Sequence, residues 1–270
     1  MRIAAMTTCV VDTFIYNNQN CIGGNGLNVA TQCVRSGADE VAFIGAVGDD
    51  RPGKLIEAYF ERVGIDTSHL HRLAGERTMT NKIDRAENGE CIYVPGAFDP
   101  GIREVFRLSD DDWAFANTFD VVATTETDPN LEGALKRLDP SVKLVVDIHN
   151  MPNLAMMAEH AQRIDLGIIS GGEEQLVQAR EIVANHGAFI IVTLGAEGSI
   201  ALRPGEEIHQ PALPVDEVID TTGCGDAFLG AFITAYYGGA DVQSALLKGA
   251  EAGAEILGRV GAVEDGCSQR

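Results

Sequence analysis

The stretch Asp220-Thr221-Thr222-Gly223-Cys224-Gly225-Asp226-Ala227-Phe228 determines how this chain is interpreted. It follows an apolar run, Pro214 to Ile219, that predicts a strand, and it leads into an apolar, Gly- and Ala-rich run that predicts a helix from Ala227 to Tyr237. A glycine turn that opens a helix presents free backbone N–H groups and the positive end of the helix dipole. The stretch therefore predicts an anion site, most often one for phosphate.

Asp226 lies inside the same turn. A carboxylate beside a phosphate is unfavourable unless it has a chemical role. The role that fits is removal of a proton from an attacking hydroxyl while the N–H groups hold a phosphoryl group. The turn thus predicts phosphoryl transfer with Asp226 as the general base.

The composition limits the partners. The chain has 270 residues, 45% of them hydrophobic, which is enough for the core of one large α/β domain. Its net charge of −20 disfavours nucleic acid and anionic membrane surfaces, because both require a basic footprint. ATP is not excluded, since local N–H groups and a metal bind it. Solubility is the simplest explanation of the acidity.

The cysteines and the N-terminal segment bear on location. Met1 to Tyr16 has no signal-peptide pattern, and no run approaches the roughly 20 apolar residues that span a bilayer. The six cysteines, at positions 9, 21, 33, 91, 224 and 267, form no C-x-x-C pair. This pattern predicts reduced thiols in the cytoplasm and disfavours a disulfide scaffold or a zinc knuckle.

Short apolar runs alternate with helical patterns along the chain. The predicted strands are 3–11, 40–45, 121–124, 144–148, 166–169 and 189–193, and the predicted helices are 26–36, 51–63, 110–117, 173–185, 228–237 and 242–257. This alternation predicts one α/β domain over residues 1–263 with a mostly parallel sheet covered on both faces, and ligands beyond the carboxyl ends of its strands. The polar tail, residues 264–270, is expected to be frayed.

Two segments interrupt the alternation, 13–21 and about 72–100. Thr78–Ile83 and Cys91–Val94 flank Asn88-Gly89, a hairpin turn signal. We expect a small β lid outside the main sheet, formed by this hairpin with Thr13–Cys21. Two ordinary surface loops are the alternative.

Two glycine patterns are discounted. Gly48 to Leu55 resembles a P-loop but has Leu55 where a Ser or Thr must bind Mg²⁺, so a strand-to-helix loop is the better interpretation. The Gly-x-Gly pairs at 24–26 and 223–225 lack the third small residue of a dinucleotide fingerprint. A dehydrogenase is accordingly a minor alternative.

A second glycine turn opens a helix at Gly23-Gly24-Asn25-Gly26-Leu27-Asn28-Val29-Ala30. Its glycines would let a ligand approach the backbone, and the Asn28 amide can both donate to and accept from sugar hydroxyls. Taken alone, the segment is better explained as an ordinary helix-opening turn with Asn28 exposed.

Together, the turns at 23–30 and 220–226 resemble the two signatures of the ribokinase-like (PfkB) carbohydrate kinase family. Gly45-Ala-Val-Gly48-Asp49-Asp50-x-x-Gly53 and Val192-Thr193-Leu194-Gly195-x-x-Gly198-Ser199 are similar to further motifs of that family, in the same order. The resemblance covers about residues 3 to 263. The amino-acid sequences of segments 63–70 and 192–200 look most similar to those of the fructoselysine 6-kinase branch of the family.

The resemblance implies a three-layer αβα sandwich and a role for each matching residue. Asp226 would be the base, and the N–H groups of Gly223, Cys224, Gly225 and Asp226 would hold the phosphate charge. The implied substrate residues are Asp12, Gly24, Asn28 and Glu126, and the implied nucleotide residues are Thr193, Gly195, Gly198, Thr221, Ala250 and Ala254. For Ala250 and Ala254, packing in the core is an equally good explanation.

The implied cofactors are ATP and Mg²⁺, with K⁺ left open. The lid would close over a small sugar-like substrate, exclude water and pair with a second lid in a homodimer.

Two positions depart from the family pattern. Ser170-Gly171-Gly172-Glu173-Glu174 keeps the glutamate near the metal, Glu174, but has Gly171 where the family has Asn. Cys224 stands where the family usually has Ala. A thiol at a helix N-terminus is expected to have a lowered pKa and to react when exposed, and we expect nucleotide to shield it.

The acceptor stays open at this point. A fructosamine would suit acidic side chains such as Glu126 and Asp128, with specificity from lid residues such as Thr78, Asn81, Lys82 and Tyr93. A kinase of fructose, ribose or a nucleoside is an alternative, the last because Tyr93 and Phe98 could stack on a base. A non-catalytic nucleotide- or sugar-binding regulator is the other, although such a protein would have no use for Asp226.

Overall fold

The structure is a computed structural model, and it describes residues 1–6, 9–86, 91–149 and 154–269. Its strands are β1 Arg2–Ala5, β2 Val10–Phe14, β3 Gln19–Gly23, β4 Glu40–Phe43, β5 Gly45–Gly48, β6 Leu70–Leu73, β7 Met79–Arg85, β8 Cys91–Tyr93, β9 Val121–Thr125, β10 Lys143–Asp147, β11 Leu166–Ser170, β12 Ile190–Thr193, β13 Ser199–Arg203, β14 Glu206–Gln210 and β15 Cys267–Gln269. Its α-helices are α1 Asn25–Arg35, α2 Arg51–Val63, α3 Asp110–Ala116, α4 Leu131–Arg137, α5 Ala155–His160, α6 Glu173–His186, α7 Cys224–Tyr237 and α8 Val242–Ile256.

The central sheet has eight strands in the order β14-β13-β12-β11-β10-β9-β1-β4. The six strands from β12 to β4 are parallel, and β13 and β14 are antiparallel additions at one edge. This confirms the expected mostly parallel sheet. The two edge strands, β13 and β14, are not among the strands predicted from the sequence.

Each face of the sheet is covered by helices. Successive residues of β9 point to opposite faces, so Val121 and Ala123 join one core while Val122 joins the other. The first core contains buried residues of α1, α2, α7 and α8, and the second contains buried residues of α3, α4, α5 and α6. The result is the three-layer sandwich that the alternation of strands and helices predicts.

A second sheet has five strands in the order β15-β3-β2-β7-β8. Strands from both predicted lid segments lie in it, and β7 and β8 pair antiparallel with Ile83 opposite Tyr93. The predicted turn at Asn88-Gly89 lies outside the described residues. This sheet places β2, and with it Asp12, beside the carboxyl ends of the central strands.

Two expectations about the C-terminal tail and the cysteines are wrong. The tail was expected to be frayed, but Cys267–Gln269 forms β15 and pairs with β3. Cys267 lies directly opposite Cys21, and the two form a disulfide. The strand pairing brings together two cysteines that are 246 residues apart in the chain, so no local spacing pattern could reveal them.

The segment before the phosphate turn is also different from the prediction. Pro214 to Ile219 is irregular and mostly exposed rather than a strand. Pro211 and Pro214 cannot donate ladder hydrogen bonds, and Asp216 and Glu217 face solvent. The turn at 220–223 therefore does not follow a strand of the central sheet.

The P-loop-like segment is a strand-to-helix connection, as interpreted from the sequence. Asp50 caps α2 by accepting from the Gly53 N–H at 2.9 Å. The same carboxylate accepts from the backbone N–H and the hydroxyl of Thr78. Thr78 is thus held in a structural contact and is not a specificity residue of the lid.

Candidate active site

A cavity of about 730 Å³ lies where the carboxyl ends of β10, β11 and β12 meet the second sheet. Eight of the residues predicted from the sequence line it, namely Asp12, Gly24, Asn28, Thr193, Thr221, Gly223, Gly225 and Asp226. The two glycine turns, almost 200 residues apart in the chain, therefore face the same space.

Helix α7 begins in this cavity. Gly223 is its N-cap, with a positive φ of 78° and no side-chain cap. The Cys224 N–H donates to the Thr221 carbonyl, so the next N–H groups, those of Gly225 and Asp226, are the ones that a ligand can use. A Cβ at Gly223 would lie 2.3 Å from Cβ of Ala262, so glycine is required both by backbone angle and by close packing. The predicted anion site thus has the local structure that its sequence implies.

Asp220 holds the turn in place. Its Oδ1 accepts from the N–H and the hydroxyl of Thr222, and its Oδ2 accepts from the Gly261 N–H at 2.8 Å. The turn before α7 is thereby tied to the chain segment that follows α8.

Asp226 is buried, and two amides of α1 hold its carboxylate. Asn25 donates to Oδ1 at 2.9 Å and Asn28 donates to Oδ2 at 2.7 Å. Asn25 and Asn28 are three residues apart on the helix, so both side chains lie on one face. Asn25 was missed as a functional residue, although this spacing relative to Asn28 was visible in the sequence.

Asn28 also has a buried oxygen, Oδ1, for which the described residues provide no hydrogen-bond partner. Buried polar atoms are normally paired, so an unpaired acceptor beside the cavity indicates a ligand donor such as a hydroxyl. Asp12 lies on the same side of Gly23 as Asn28. A Cβ atom placed on Gly23 would be 3.4 Å from Asp12 Oδ2 and 3.7 Å from Asn28 Oδ1.

Burial and neighbouring charges raise the pKa values of two carboxyl groups in the cavity, those of Asp226 and Asp12. Burial, and then the charge of Asp147, raise the pKa of Asp226 to about 6, while hydrogen bonds from Asn28 and Asn25 and the charge of His149 act in the opposite direction. Burial, and then the charges of Asp220 and Asp226, raise the pKa of Asp12 to about 7. A carboxylate with a pKa near 6 is ionised at neutral pH and is still basic enough to accept a proton.

Asp147 and His149 are cavity residues that went unrecognised in the sequence. Asp147 ends β10, and its carboxylate accepts from the His149 backbone N–H at 2.8 Å and lies 3.3 Å from His149 Nδ1. Burial lowers the pKa of His149, but the hydrogen bond and charge of Asp147 outweigh it, so that the pKa is raised. The rule that ligands bind at the carboxyl ends of parallel strands would have indicated Asp147.

Cys224 departs from its prediction. It does not line the cavity: its N–H donates to the Thr221 carbonyl, and its Sγ lies 3.5 Å from the Gly253 carbonyl oxygen on α8. Burial, and then the charge of Asp226, raise the pKa of the thiol to about 11 instead of lowering it. The pKa shift is thus opposite to the lowered pKa expected for a thiol at a helix N-terminus.

Six predicted site residues lie outside the cavity lining, namely Glu126, Glu174, Gly195, Gly198, Ala250 and Ala254. Glu126 follows β9, close enough for the charges of His149 and Asp147 to act on it. Asp128 is buried and accepts from the Thr124 hydroxyl and the Asn130 N–H, a structural role. Ala250 and Ala254 are half-buried on α8.

The lid side of the cavity carries Asn81, Tyr93, Phe98 and Arg103. Of the lid residues expected to set specificity, Asn81 and Tyr93 reach the cavity, whereas Lys82 is exposed and outside it. Arg103 also donates to the Thr127 carbonyl. The cavity thus combines aromatic, amide and cationic groups opposite its acids.

The cavity suits a nucleotide with its metal. The N-terminus of α7 can hold phosphate charge, and the hydroxyls of Ser170 and Thr193 lie 3.0 Å apart at the ends of neighbouring strands. Asp147, Ser170 and Thr193 offer oxygen atoms that could bind Mg²⁺ directly or accept hydrogen bonds from the water molecules bound to it. A side chain at Gly171 would meet Gln175 Cβ at 2.7 Å, so this backbone favours glycine where the family has Asn.

None of the helices in the described ranges has the length and apolarity needed to cross a membrane.

Known structures define the fold class as ribokinase-like. Arabidopsis thaliana ribokinase, solved with ribose and ATP, superposes with a TM-score of 0.82 at 20% identity, covering 96% of this chain and 93% of that one. Cryptococcus neoformans ribokinase, solved with ADP, superposes with a TM-score of 0.79 at 23% identity, covering 97% of this chain and 95% of that one.

Comparison at the level of sequence identifies the family. The model of the pfkB family carbohydrate kinases matches residues 17–138 and 148–268, so the chain belongs to this family and is a carbohydrate kinase. It is 30% identical to fructoselysine 6-kinase of Escherichia coli (strain K12), over 92% of this chain and 94% of the relative. It is 27% identical to a fructosamine kinase of Bacillus subtilis (strain 168), over 97% and 93%.

Proposed function

We propose that this kinase transfers the terminal phosphoryl group of ATP to a hydroxyl of a sugar–amine conjugate of the fructoselysine class, with Asp226 as the general base. The observation that carries the proposal is the buried Asp226 carboxylate at the N-terminus of α7, held by Asn25 and Asn28. A non-catalytic regulator would have no use for a carboxylate in that position.

The chemistry follows from the positions of the groups. ATP supplies the phosphoryl group, and Mg²⁺ neutralises phosphate charge. Asp226 accepts the proton of the acceptor hydroxyl as its oxygen bonds to phosphorus, and the bond from phosphorus to the oxygen of ADP breaks. The N–H groups of Gly225 and Asp226 stabilise the charge on the transferred group. Asn28 Oδ1 and Asp12 accept from the other hydroxyls and so hold the acceptor.

The acidic lining supports an acceptor with an ammonium group. Asp12, Asp147 and Asp226 all face the cavity, and Glu126 lies just behind it. Two relatives that match nearly the whole chain are named fructoselysine 6-kinase and fructosamine kinase, and these names support an acceptor of the sugar–amine class.

A nucleoside is the second candidate acceptor, and one observation favours it. Tyr93 and Phe98 line the cavity, and Tyr93 is 62% exposed, so an aromatic surface on which a base could stack faces the acceptor side. Replacing Tyr93 by Ala separates the two candidates, because it would reduce kcat/KM strongly for a stacked nucleoside and weakly for an aliphatic amine conjugate.

A panel of acceptors tests the proposal. ADP release is measured with fructoselysine, fructose, ribose and adenosine, in the wild type and in Asp226→Asn. We expect the highest kcat/KM for fructoselysine and loss of turnover with every acceptor in the variant. A higher kcat/KM for adenosine or free fructose would contradict the acceptor class alone. Turnover that persists in Asp226→Asn would contradict the base.

We also propose that the second sheet closes over the acceptor and pairs with the same sheet of another copy in a homodimer. Ile15 and Ile92 are large apolar side chains exposed on or next to its strands. A cytoplasmic location is proposed because the reaction consumes ATP. Sedimentation of the wild type and of Ile92→Lys tests the dimer, which the charged variant should dissociate.

A further inference from the structure

Three metal-ligating side chains converge away from the cavity. His69 Nδ1 and His71 Nε2 each lie 2.8 Å from Oδ1 of Asp112. These three atoms all lie within 4.8 Å of one another, and none of the three residues lines the active-site cavity. His69 directly precedes β6, His71 lies in β6, and Asp112 lies in the first turn of α3.

Asp112 is held ready as an anionic ligand. Its Oδ2 accepts from the backbone N–H and the hydroxyl of Ser109, which leaves Oδ1 facing the histidines. The side chain is 1% exposed, and its ion-pair partners among the described residues are the two histidines.

Aromatic contacts orient the imidazole rings. The His69 ring stacks on Phe115 with centroids 4.0 Å apart, and the His71 ring lies 5.4 Å from that of Phe106. Both rings therefore turn one nitrogen toward Asp112. His71 is 40% exposed, which gives an ion a path from solvent and leaves one side open for water.

We propose that His69, His71 and Asp112 form a structural site for a first-row transition metal ion of the Zn²⁺ type. Two imidazole nitrogens and one carboxylate suit Zn²⁺, whereas Mg²⁺ selects oxygen ligands alone. Ligand atoms about 2 Å from a tetrahedral zinc lie about 3.3 Å apart, so the two contacts of 2.8 Å must open by about half an ångström. Each imidazole moves its proton to the other ring nitrogen. The bound ion would link β6 to α3.

Metal-free protein tests the site directly. Titration with ZnCl₂ should give one ion per chain. Saturating Zn²⁺, at roughly a hundredfold excess over Kd, should raise the Tm by about 5–10 °C. Cobalt(II) bound at the site should give a visible d–d absorption band. MgCl₂ alone should leave the Tm unchanged. The site is separate from ATP binding, so its failure would leave the proposed function untouched.

His71→Gln is the decisive variant, because the Gln amide can still donate to Asp112 while the imidazole ligand is lost. We expect it to keep the metal-free Tm and to lose the Zn²⁺ shift and the cobalt band. His209→Ala is the control, since His209 lies 2.9 Å from a Glu207 oxygen in an exposed pair. Absence of stoichiometric Zn²⁺ binding in the wild type would overturn the proposal. Equal Zn²⁺ shifts in the wild type and His71→Gln would overturn it as well.

Discussion

The Asn28 side-chain amide donates to Asp226 Oδ2 at 2.7 Å, and the two residues are 198 positions apart in the chain. This hydrogen bond joins the glycine turn that opens α1 to the glycine turn that opens α7. The acceptor side and the phosphate side of the cavity therefore meet at one carboxylate. Substitutions in either turn should therefore alter the pKa of Asp226 or the hydrogen bonds that hold its carboxylate.

Loss of the Asn25 amide should move the acid limb of the pH–rate profile. Asp226 must be ionised to accept a proton, so kcat/KM should rise with pH through about 6 and then level off. The Asn25 hydrogen bond favours the ionised form, so Asn25→Ala should raise the pKa and shift the limb to higher pH. Activity should fall most below pH 6 and least at pH 8.

Asn81→Ala is the matched control for that profile, because Asn81 lines the same cavity on the lid side. It should change the height of the profile and leave its midpoint in place. A limb that stays fixed in Asn25→Ala, or moves to lower pH, would contradict the role given to the Asn25 hydrogen bond.

Gly225→Ala should separate phosphate binding from stability. A Cβ at Gly225 would meet no heavy atom closer than Ser170 Oγ at 3.9 Å, and alanine favours helix by up to about 1 kcal/mol. The Tm should be unchanged or higher, whereas the added methyl group narrows the anion site and should lower kcat/KM for ATP at least tenfold, about 1.4 kcal/mol.

Gly258→Ala is the control, since its Cβ would have only Glu255 O nearby, at 3.8 Å, outside the cavity. Full activity of Gly225→Ala at low ATP would show that the transferred phosphate does not bind at this turn.

The Cys21–Cys267 disulfide should stabilise the protein. It closes a loop of most of the chain, and such a link typically contributes about 2–4 kcal/mol. Urea unfolding of Cys267→Ser should show that loss, and dithiothreitol should lower the wild-type midpoint without affecting the variant. Cys224→Ser should respond to dithiothreitol like the wild type. An unchanged wild-type midpoint under reductant would show that the disulfide does not form in solution.

Several parts of the fold were accessible from the sequence because their signals are local. The sequence predicts a helix over 51–63, and the structure has α2 with the same bounds, Arg51–Val63. Asp226 and Gly223 were identifiable because a glycine turn, a carboxylate and an apolar helix follow one another within the chain. The contact with Asn25 was not, since no pattern within α1 shows which helix N-terminus faces it.

Other features depend on tertiary contacts that no local pattern encodes. The Cys21–Cys267 pair depends on β15 adding to β3. The pKa of Cys224 depends on its burial against Gly253 of α8, which reverses the effect expected from a helix N-terminus. Pro214 to Ile219 has the apolar content of a strand but lies on the surface.

The turnover of Asp226→Asn tests the central claim most directly. The amide keeps the size of the side chain but cannot accept the proton, so kcat should fall by about 10²–10⁴-fold. Its NH₂ group can no longer accept a hydrogen bond, so either Asn25 or Asn28 must turn its amide oxygen toward it. ATP affinity and Tm should stay close to those of the wild type, and Asp216→Asn, at an exposed position, should keep full activity. An Asp226→Asn enzyme that retains most of its turnover would show that Asp226 is not the base.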